Sequence, residues 1–348
     1  MANNSFVIVG KLGIGKESDK FKPFQKSNNG RGWNSQRLSF YVKNDINFQN
    51  LEISGGYSET KPVVYSFSKG SEGKKGEPMQ IPWTDRKNKD VIEKVAEFRK
   101  NVIIFDEENR MEFISAYDFA EAVHNIIKDD KYKDCLWRIQ GDVVTNEWNG
   151  KFYTKFVPTR MYKVSEEEEH ISEGVLEFHF GEDCIDDQYE TLNKLFIKGY
   201  TREYDGTRKK EIGIPLEPIE VSFANVKPEI RQKVYEKYKQ LFTVDGENFK
   251  KIGLKVNYLS GAEDVEFTED MLDDEQKEMI ELGFITFEEV KKEMGSGKSN
   301  YDSVTRVTGL ARGYSKGAIE TEFTIKDYVL SEDNNNDLDS EIDSLFDL

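Results

Sequence analysis

Two kinds of chemistry can be read from the first 43 residues. The run Gly10-Lys-Leu-Gly-Ile-Gly15-Lys16-Glu17 fits the phosphate-loop pattern G-x-x-x-x-G-K-[ST] at every place but the last. It follows an apolar segment, Phe6 to Val9, as such a loop should. A phosphate loop needs a hydroxyl for Mg²⁺ and a following helix whose N-terminus faces the phosphates. Glu17 replaces the hydroxyl, and Ser18 to Gly32 holds Pro23, Gly30 and Gly32 with no helical apolar stripe. Val102-Ile-Ile-Phe-Asp106-Glu107 imitates a Walker B strand, so a nucleotide hydrolase built on Gly10 to Lys16 and Asp106 stands as the enzymatic alternative. No series of alternating βα units supports it. Gly295-Ser-Gly-Lys-Ser299 is a weaker imitation, with Lys292 where the first glycine belongs.

The second chemistry is recognition of a polyanion with flat bases. A sequence-tolerant single-strand binder needs cations for phosphates and exposed rings on which bases stack. Lys11, Lys16, Lys20, Phe21, Lys22, Phe24, Lys26, Arg31, Trp33, Arg37, Tyr41 and Lys43 follow one another in sequence. Trp33 sits beside Gly30-Arg31-Gly32, which lets a ligand approach the backbone. Trp148 precedes the turn signal Asn149-Gly150, and Lys151, Tyr153 and Lys155 alternate on one face after it. Any single aromatic is as well explained by core packing. Tyr41 and Tyr153 resist that explanation because each alternates with Lys or Arg. The expected site is therefore Trp33, Tyr41, Trp148 and Tyr153 for bases. Lys11, Lys16, Lys20, Lys22, Lys26, Arg31, Arg37, Lys43, Lys151 and Lys155 are expected for phosphates.

Metal and nucleophile chemistry finds little support. His124, His170, His179, Cys135 and Cys184 show no paired ligand spacing, and no carboxylate set stands out. No catalytic residue, metal or cofactor is expected. Two cysteines point away from a disulfide scaffold and toward a reducing compartment. The chain shows no signal-peptide pattern, and no window approaches the length of a membrane helix.

Short alternating segments dominate the elements that carry these residues. Leu38, Phe40 and Val42 share one face of a strand, and Arg37, Ser39, Tyr41 and Lys43 share the other. Asp90 to Lys100 and Ser115 to Lys128 read as amphipathic helices, the second capped by Ser115. Leu136 to Thr145 and Lys151 to Val164 read as a hairpin, and Glu166 to Glu169 as a boundary. Beyond it, Val175 to Phe180 and the hairpin strands Leu195 to Tyr204 and Arg208 to Phe223 about Asp205-Gly206 precede a helix, Lys227 to Phe242. A strand follows at Ile252 to Tyr258, then helices at Met271 to Leu282 and Phe287 to Met294. Val304 to Tyr314 and Ala318 to Val329 close as a last hairpin. Arg138-Ile-Gln-Gly141 and Arg306-Val-Thr-Gly309 hint at an internal repeat, with Phe156 and Phe323 in the returning strands. Each half thus reads as three strands, a helix and two strands, the order of an OB-fold. The expected fold is mainly β with a few helices: tandem OB-like five-stranded barrels and a disordered acidic tail. Residues 1–165 form a strand-binding barrel with a long insertion at 57–100, residues 170–330 an acidic second barrel, and 331–348 the tail.

The 348 residues carry a net charge of -17, which at first argues against a nucleic-acid partner. The distribution reverses that. Residues 1–164 hold 27 basic and 22 acidic residues, residues 165–330 hold 22 and 37, and residues 331–348 hold none and 7. A basic front with an acidic appendage suits a polyanion binder. The tail ends on an apolar tip suited to docking on a partner or competing for the chain's own cationic groove: Asp339, Glu341, Ile342, Asp343, Leu345, Phe346, Asp347 and Leu348.

On the OB-like front with its hairpin Trp137-Arg-Ile-Gln-Gly-Asp to Lys151-Phe-Tyr-Thr-Lys-Phe-Val-Pro158, the basic–aromatic interleaving and the acidic tail, the chain resembles the single-stranded DNA-binding proteins of tailed phages, and more loosely the bacterial ones. The resemblance implies coating and protection of single-stranded DNA during replication, recombination and repair. It also implies recruitment of replication and recombination proteins through the tail. With it go a host-cytoplasmic location, no membrane and no catalysed step, with the oligomeric state, a homo-oligomer included, left open. Bacterial tails typically end in an aromatic, whereas Asp347 and Leu348 follow Phe346 here. An acidic protein-interaction module that mimics DNA is the third reading.

Overall fold

The computed structural model describes residues 4–18, 21–28, 30, 32–44, 47–70, 76–148, 151–205, 210–260, 277, 280, 286 and 303–328. The chain opens with β1 (Ser5–Gly13), β2 (Phe24–Asn28), β3 (Trp33–Lys43) and β4 (Phe48–Ser58). An insertion follows: β5 (Val63–Phe67), β6 (Pro78–Pro82), α1 (Lys89–Lys94), β7 (Asn101–Ile104) and β8 (Arg110–Phe113). Then come α2 (Ala116–Lys128), β9 (Leu136–Trp148) and β10 (Lys151–Val164). Ladders run β4–β3–β1–β9–β10, all antiparallel. The ring closes where Lys155 of β10 reaches Glu52 of β4 at 2.8 Å. Strand order and the position of α2 are those of an OB barrel. Leu38, Phe40, Val42, Leu51, Ile53, Ile139 and Phe156 fill its interior, and α2 covers one end with Phe119 and Val123. Ser115 caps α2 by accepting the N–H of Tyr117.

The second half repeats the plan with β11 (Ser172–Phe180), β12 (Ile185–Gln188), α3 (Tyr189–Leu192), β13 (Lys194–Asp205), β14 (Lys210–Ser222), α4 (Pro228–Phe242), β15 (Asn248–Ser260), β16 (Ser303–Leu310) and β17 (Ile319–Thr324). Ladders run β14–β13–β11–β15–β16, and β16 returns to β14 as a parallel pair at Glu220↔Arg306, closing the ring. The fold is therefore mainly β, two OB-like barrels in tandem. They share a sheet: Ser5 to Ile8 of β1 pair with Ser172 to Val175 of β11, while Lys11 to Gly13 pair with β3. One apolar cluster runs from Phe6 to Ile252 through both barrels. The seam also holds buried Asn47, whose amide donates to Ser172 Oγ at 2.7 Å and the Tyr258 carbonyl at 2.5 Å. Its Oδ1 accepts the Ser260 N–H at 2.6 Å, so the buried amide is satisfied.

Several expectations need correction. β16 and β17 do not form a hairpin with each other. Both pair with β15, whose 13 residues are long enough to take β16 along one stretch and β17 along another. The proposed repeat of Arg138 and Arg306 also fails, because Arg138 lies on the fourth strand of its barrel and Arg306 on the fifth. The helix expected over Asp90 to Lys100 ends at Lys94. Val95 turns extended and is buried with Ile81 and Ile114, a better place for an apolar side chain than another turn on an exposed helix. The Asn149-Gly150 turn, Gly206, the Gly295 to Ser299 run and the tail lie outside the described residues. So do the helices expected at 271–282 and 287–294, save Lys277, Ile280 and Thr286.

Candidate nucleic-acid interface

Successive side chains of a strand point to opposite faces. On β3 the even positions from Gln36 to Val42 are buried, so Trp33, Arg37, Tyr41 and Lys43 face outward. On β10 Phe156 points into the barrel, so Tyr153 and Lys155 face outward. Register does the rest. Lys11 lies opposite Lys43 and Gly13 opposite Tyr41, while β4 sets Phe48 beside Lys43 and Glu52 beside Ser39. One outward surface across β1, β3, β4 and β10 thus gathers Lys11, Arg37, Lys43 and Lys155 with Trp33, Tyr41 and Tyr153. Trp33 and Tyr153 remain 45% and 44% exposed, which is unusual for large rings on well-formed strands.

The β1–β2 loop extends this surface. Ser18 and Phe21 exchange backbone hydrogen bonds, and Phe21 stands 42% exposed across Gly15. Lys16 and Lys22 flank it, both exposed. The sequence shows Phe21 only as part of the interleaving; its exposure on the structure marks it as a site residue.

Other expected residues are placed differently. Lys26 pairs with Gln36 on the inward-facing register and its ammonium reaches Glu121 of α2 at 2.8 Å, so it sits on the helix side. That hydrogen bond holds the Glu121 carboxyl below its usual range and the lysine above its own. Tyr41 is half-buried, its ring stacked on Phe48 at 4.5 Å and lying against Gly13, where a Cβ would come within 2.2 Å of it. Lys155 and Arg37 both meet Glu52, at 2.8 and 3.9 Å, and Lys11 meets Asp134 at 3.4 Å. Exposed pairs of this kind are worth about 0–1 kcal/mol, so a phosphate can displace them. Lys20 and Arg31 lie outside the described residues. The backbones of Trp148 and Lys151 pair at the end of the β9–β10 ladder, but their side chains are likewise outside the description.

The phosphate-loop alternative loses its geometry. Gly10 and Gly13 are strand residues whose missing side chains admit the Lys43 carbonyl and the Tyr41 ring, and the next element after Lys16 is the strand β2. Asp106 caps its own turn, accepting the N–H groups of Glu108 and Asn109 at 3.0 and 2.9 Å.

The second barrel presents a different surface. Tyr200 and Arg202 of β13 are covered by the chain itself: Tyr328 stacks on Phe249 at 4.2 Å and meets Tyr200 at 5.3 Å. Arg202 lies 3.6 Å from the centre of the Phe323 ring.

No protein-family model and no curated protein matches the chain. Among solved structures, a deletion mutant and the wild-type form of the single-stranded DNA binding protein from Thermus aquaticus are similar to it. Their TM-scores are 0.33 and 0.31, both at 8% identity, covering 74% of this chain and 87% and 86% of theirs. So remote a likeness adds no weight to what the register of the strands already supports. No helix among the described residues is long and apolar enough to cross a membrane.

Proposed function

We propose that this protein binds single-stranded DNA on the outward face of its first barrel. The observation that carries the reading is the convergence of cations and exposed rings on one surface by strand register. Trp33, Tyr153 and Phe21 offer faces to bases, while Tyr41, packed between Phe48 and Gly13, supports the surface beside them. Lys11, Lys16, Lys22, Arg37, Lys43 and Lys155 meet phosphates. Stacking tolerates any base because every base has a π-face, so the binding is sequence-tolerant and salt-sensitive.

The finer reading follows the family the sequence resembles. The protein coats and protects strands exposed during phage DNA replication, recombination and repair in the host cytoplasm, without catalysing a reaction. Its acidic tail, through Asp339, Glu341, Ile342, Asp343, Leu345, Phe346, Asp347 and Leu348, engages replication and recombination proteins.

Titration of the full chain with single- and double-stranded oligonucleotides at two salt concentrations tests the reading, with tryptophan fluorescence as the signal. Single strands should bind far more tightly, and log affinity should fall linearly with log salt. Trp33→Ala with Tyr153→Ala should weaken single-strand binding by about tenfold or more, given about 1–3 kcal/mol per stacked base. Absence of binding to any oligonucleotide at low salt would overturn the reading and favour an acidic DNA mimic.

A further inference from the structure

The insertion between β4 and α2 carries a second set of rings that the barrel face does not use. β5 and β6 form a two-stranded hairpin, and the Trp83 N–H beyond it donates to the Pro62 carbonyl at 2.8 Å. The Trp83 indole stacks on Tyr57 at 4.1 Å and 22°. The Arg86 guanidinium lies 4.1 Å from the indole centre. That guanidinium is itself fixed, by bonds of 2.8 and 3.2 Å to Asp118 and one of 2.8 Å to the Trp83 carbonyl. Tyr117 meets both Tyr57 and Trp83 edge-on. The result is a rigid aromatic floor.

Against this floor lies a cavity of about 360 Å³ that reaches Trp33 and Tyr65. Gly55 and Gly56 line it with bare backbone. A Cβ at Gly55 would come within 2.4 Å of the Tyr117 nitrogen, and one at Gly56 within 2.8 Å of the Trp33 ring. Tyr65 is 57% exposed, and Lys61 Nζ sits 5.3 Å from its ring centre. No carboxylate lines the cavity among the described residues. Glu59 nearby accepts the side-chain amides of Asn28 and Asn34, at 2.9 and 2.7 Å.

We infer that this cavity receives one unpaired nucleobase of the bound strand. Tyr65 and Trp33 flank the base, the Tyr57–Trp83 stack forms its floor, and Lys61 meets the adjoining phosphate. The inference rests on the proposed single-strand binding. It continues the strand's path off the barrel, because Trp33 belongs both to the outward face and to the cavity. Flat aromatic walls and a cation at the rim suit a base with its phosphate better than an aliphatic side chain. An exposed ring such as Tyr65, with the Lys61 ammonium beside it, is what a base would cover.

The test uses the full chain and a series of thymidine oligonucleotides of increasing length, with wild-type protein, Tyr65→Ala, and Trp33→Ala combined with Tyr153→Ala. Tyr65 is exposed, so its truncation should leave the thermal melting curve unchanged. Tyr65→Ala should bind the shortest oligonucleotides like wild type and lose about tenfold in affinity for longer ones. Photocrosslinking with iododeoxyuridine oligonucleotides should label the peptide containing Tyr65. Equal affinities at every length together with no crosslink there would overturn the pocket while the barrel face still bound DNA. Failure of wild-type protein to bind any single strand would instead overturn the underlying reading.

Discussion

Trp33 and Tyr41 leave the same face of the same strand, yet their surroundings give them different capacities. Tyr41 packs between Phe48 and Gly13, whereas Trp33 stands at the strand's start over Gly56. The same contrast separates the two cysteines. Cys184 is buried, its Sγ 3.3 Å from the Phe242 carbonyl, and burial pushes its thiol up to about 11. Cys135 is only partly covered. A thiol reagent at pH 8 should therefore modify one cysteine quickly in the folded protein and the second only after denaturation, as peptide mapping would show. Two labelled cysteines in the native state would contradict the packing around Cys184.

At the scale of elements, each barrel is latched by a carboxylate on its third strand. Glu220 of β14 receives Lys194 at 2.9 Å and Arg306 at 2.6 Å. Glu52 of β4 receives Arg37 and Lys155. The registers correspond: Glu52 faces Ser39 and Glu220 faces Phe196, and each cation on the second strand lies two residues before that partner. The repeat is thus visible in register and not in the Arg-x-x-Gly strings that the sequence offers. Burial divides the two latches. Glu220 is buried, so Glu220→Gln removes the charge that Lys194 and Arg306 share in a desolvated place and should cost on the order of 3 kcal/mol in chemical denaturation. Glu52 is partly exposed on the proposed DNA face, its side chain at 20%. Glu52→Gln should barely change stability, yet it should raise single-strand affinity and steepen its salt dependence by releasing Arg37 and Lys155. Weaker DNA binding by Glu52→Gln would argue against phosphates at those cations.

The whole molecule is governed by the seam and by the distribution of charge. Glu203 of β13 accepts the Thr145 N–H across the barrels at 2.7 Å, and burial raises its carboxyl above the ordinary range, partly offset by that hydrogen bond. A carboxyl whose folded value is raised favours the native state when protonated. Its stabilising share is lost as pH rises from the unfolded value through the folded one. Glu203→Gln keeps an acceptor without the charge. It should therefore be more stable than wild type at neutral pH and equal to it at low pH, where both are neutral. A constant difference across pH would show that the charge is irrelevant. Deletion of 331–348 removes seven acidic residues and no basic ones. DNA affinity should hold or rise while partner recruitment is lost, and a fall in affinity would rule out competition by the tail.

Periodicity made the strands of both barrels, the helix between the third and fourth strands of each, and the basic front legible, because alternation and charge are local properties of a chain. It also made Arg37, Tyr41 and Tyr153 visible as outward residues, while the glycines beside it marked Trp33. What it could not reveal was where those faces meet. Lys26 turns to the helix because its register with Gln36 places it there, and Phe21 is tied to Ser18 by backbone hydrogen bonds. Tyr65 and Trp83, read as parts of a loop-rich insertion, reach Trp33 only because Gly55 and Gly56 let α2 and the ring approach β4. Such convergences depend on contacts between residues far apart in sequence, which ring closure and register create and no local pattern encodes.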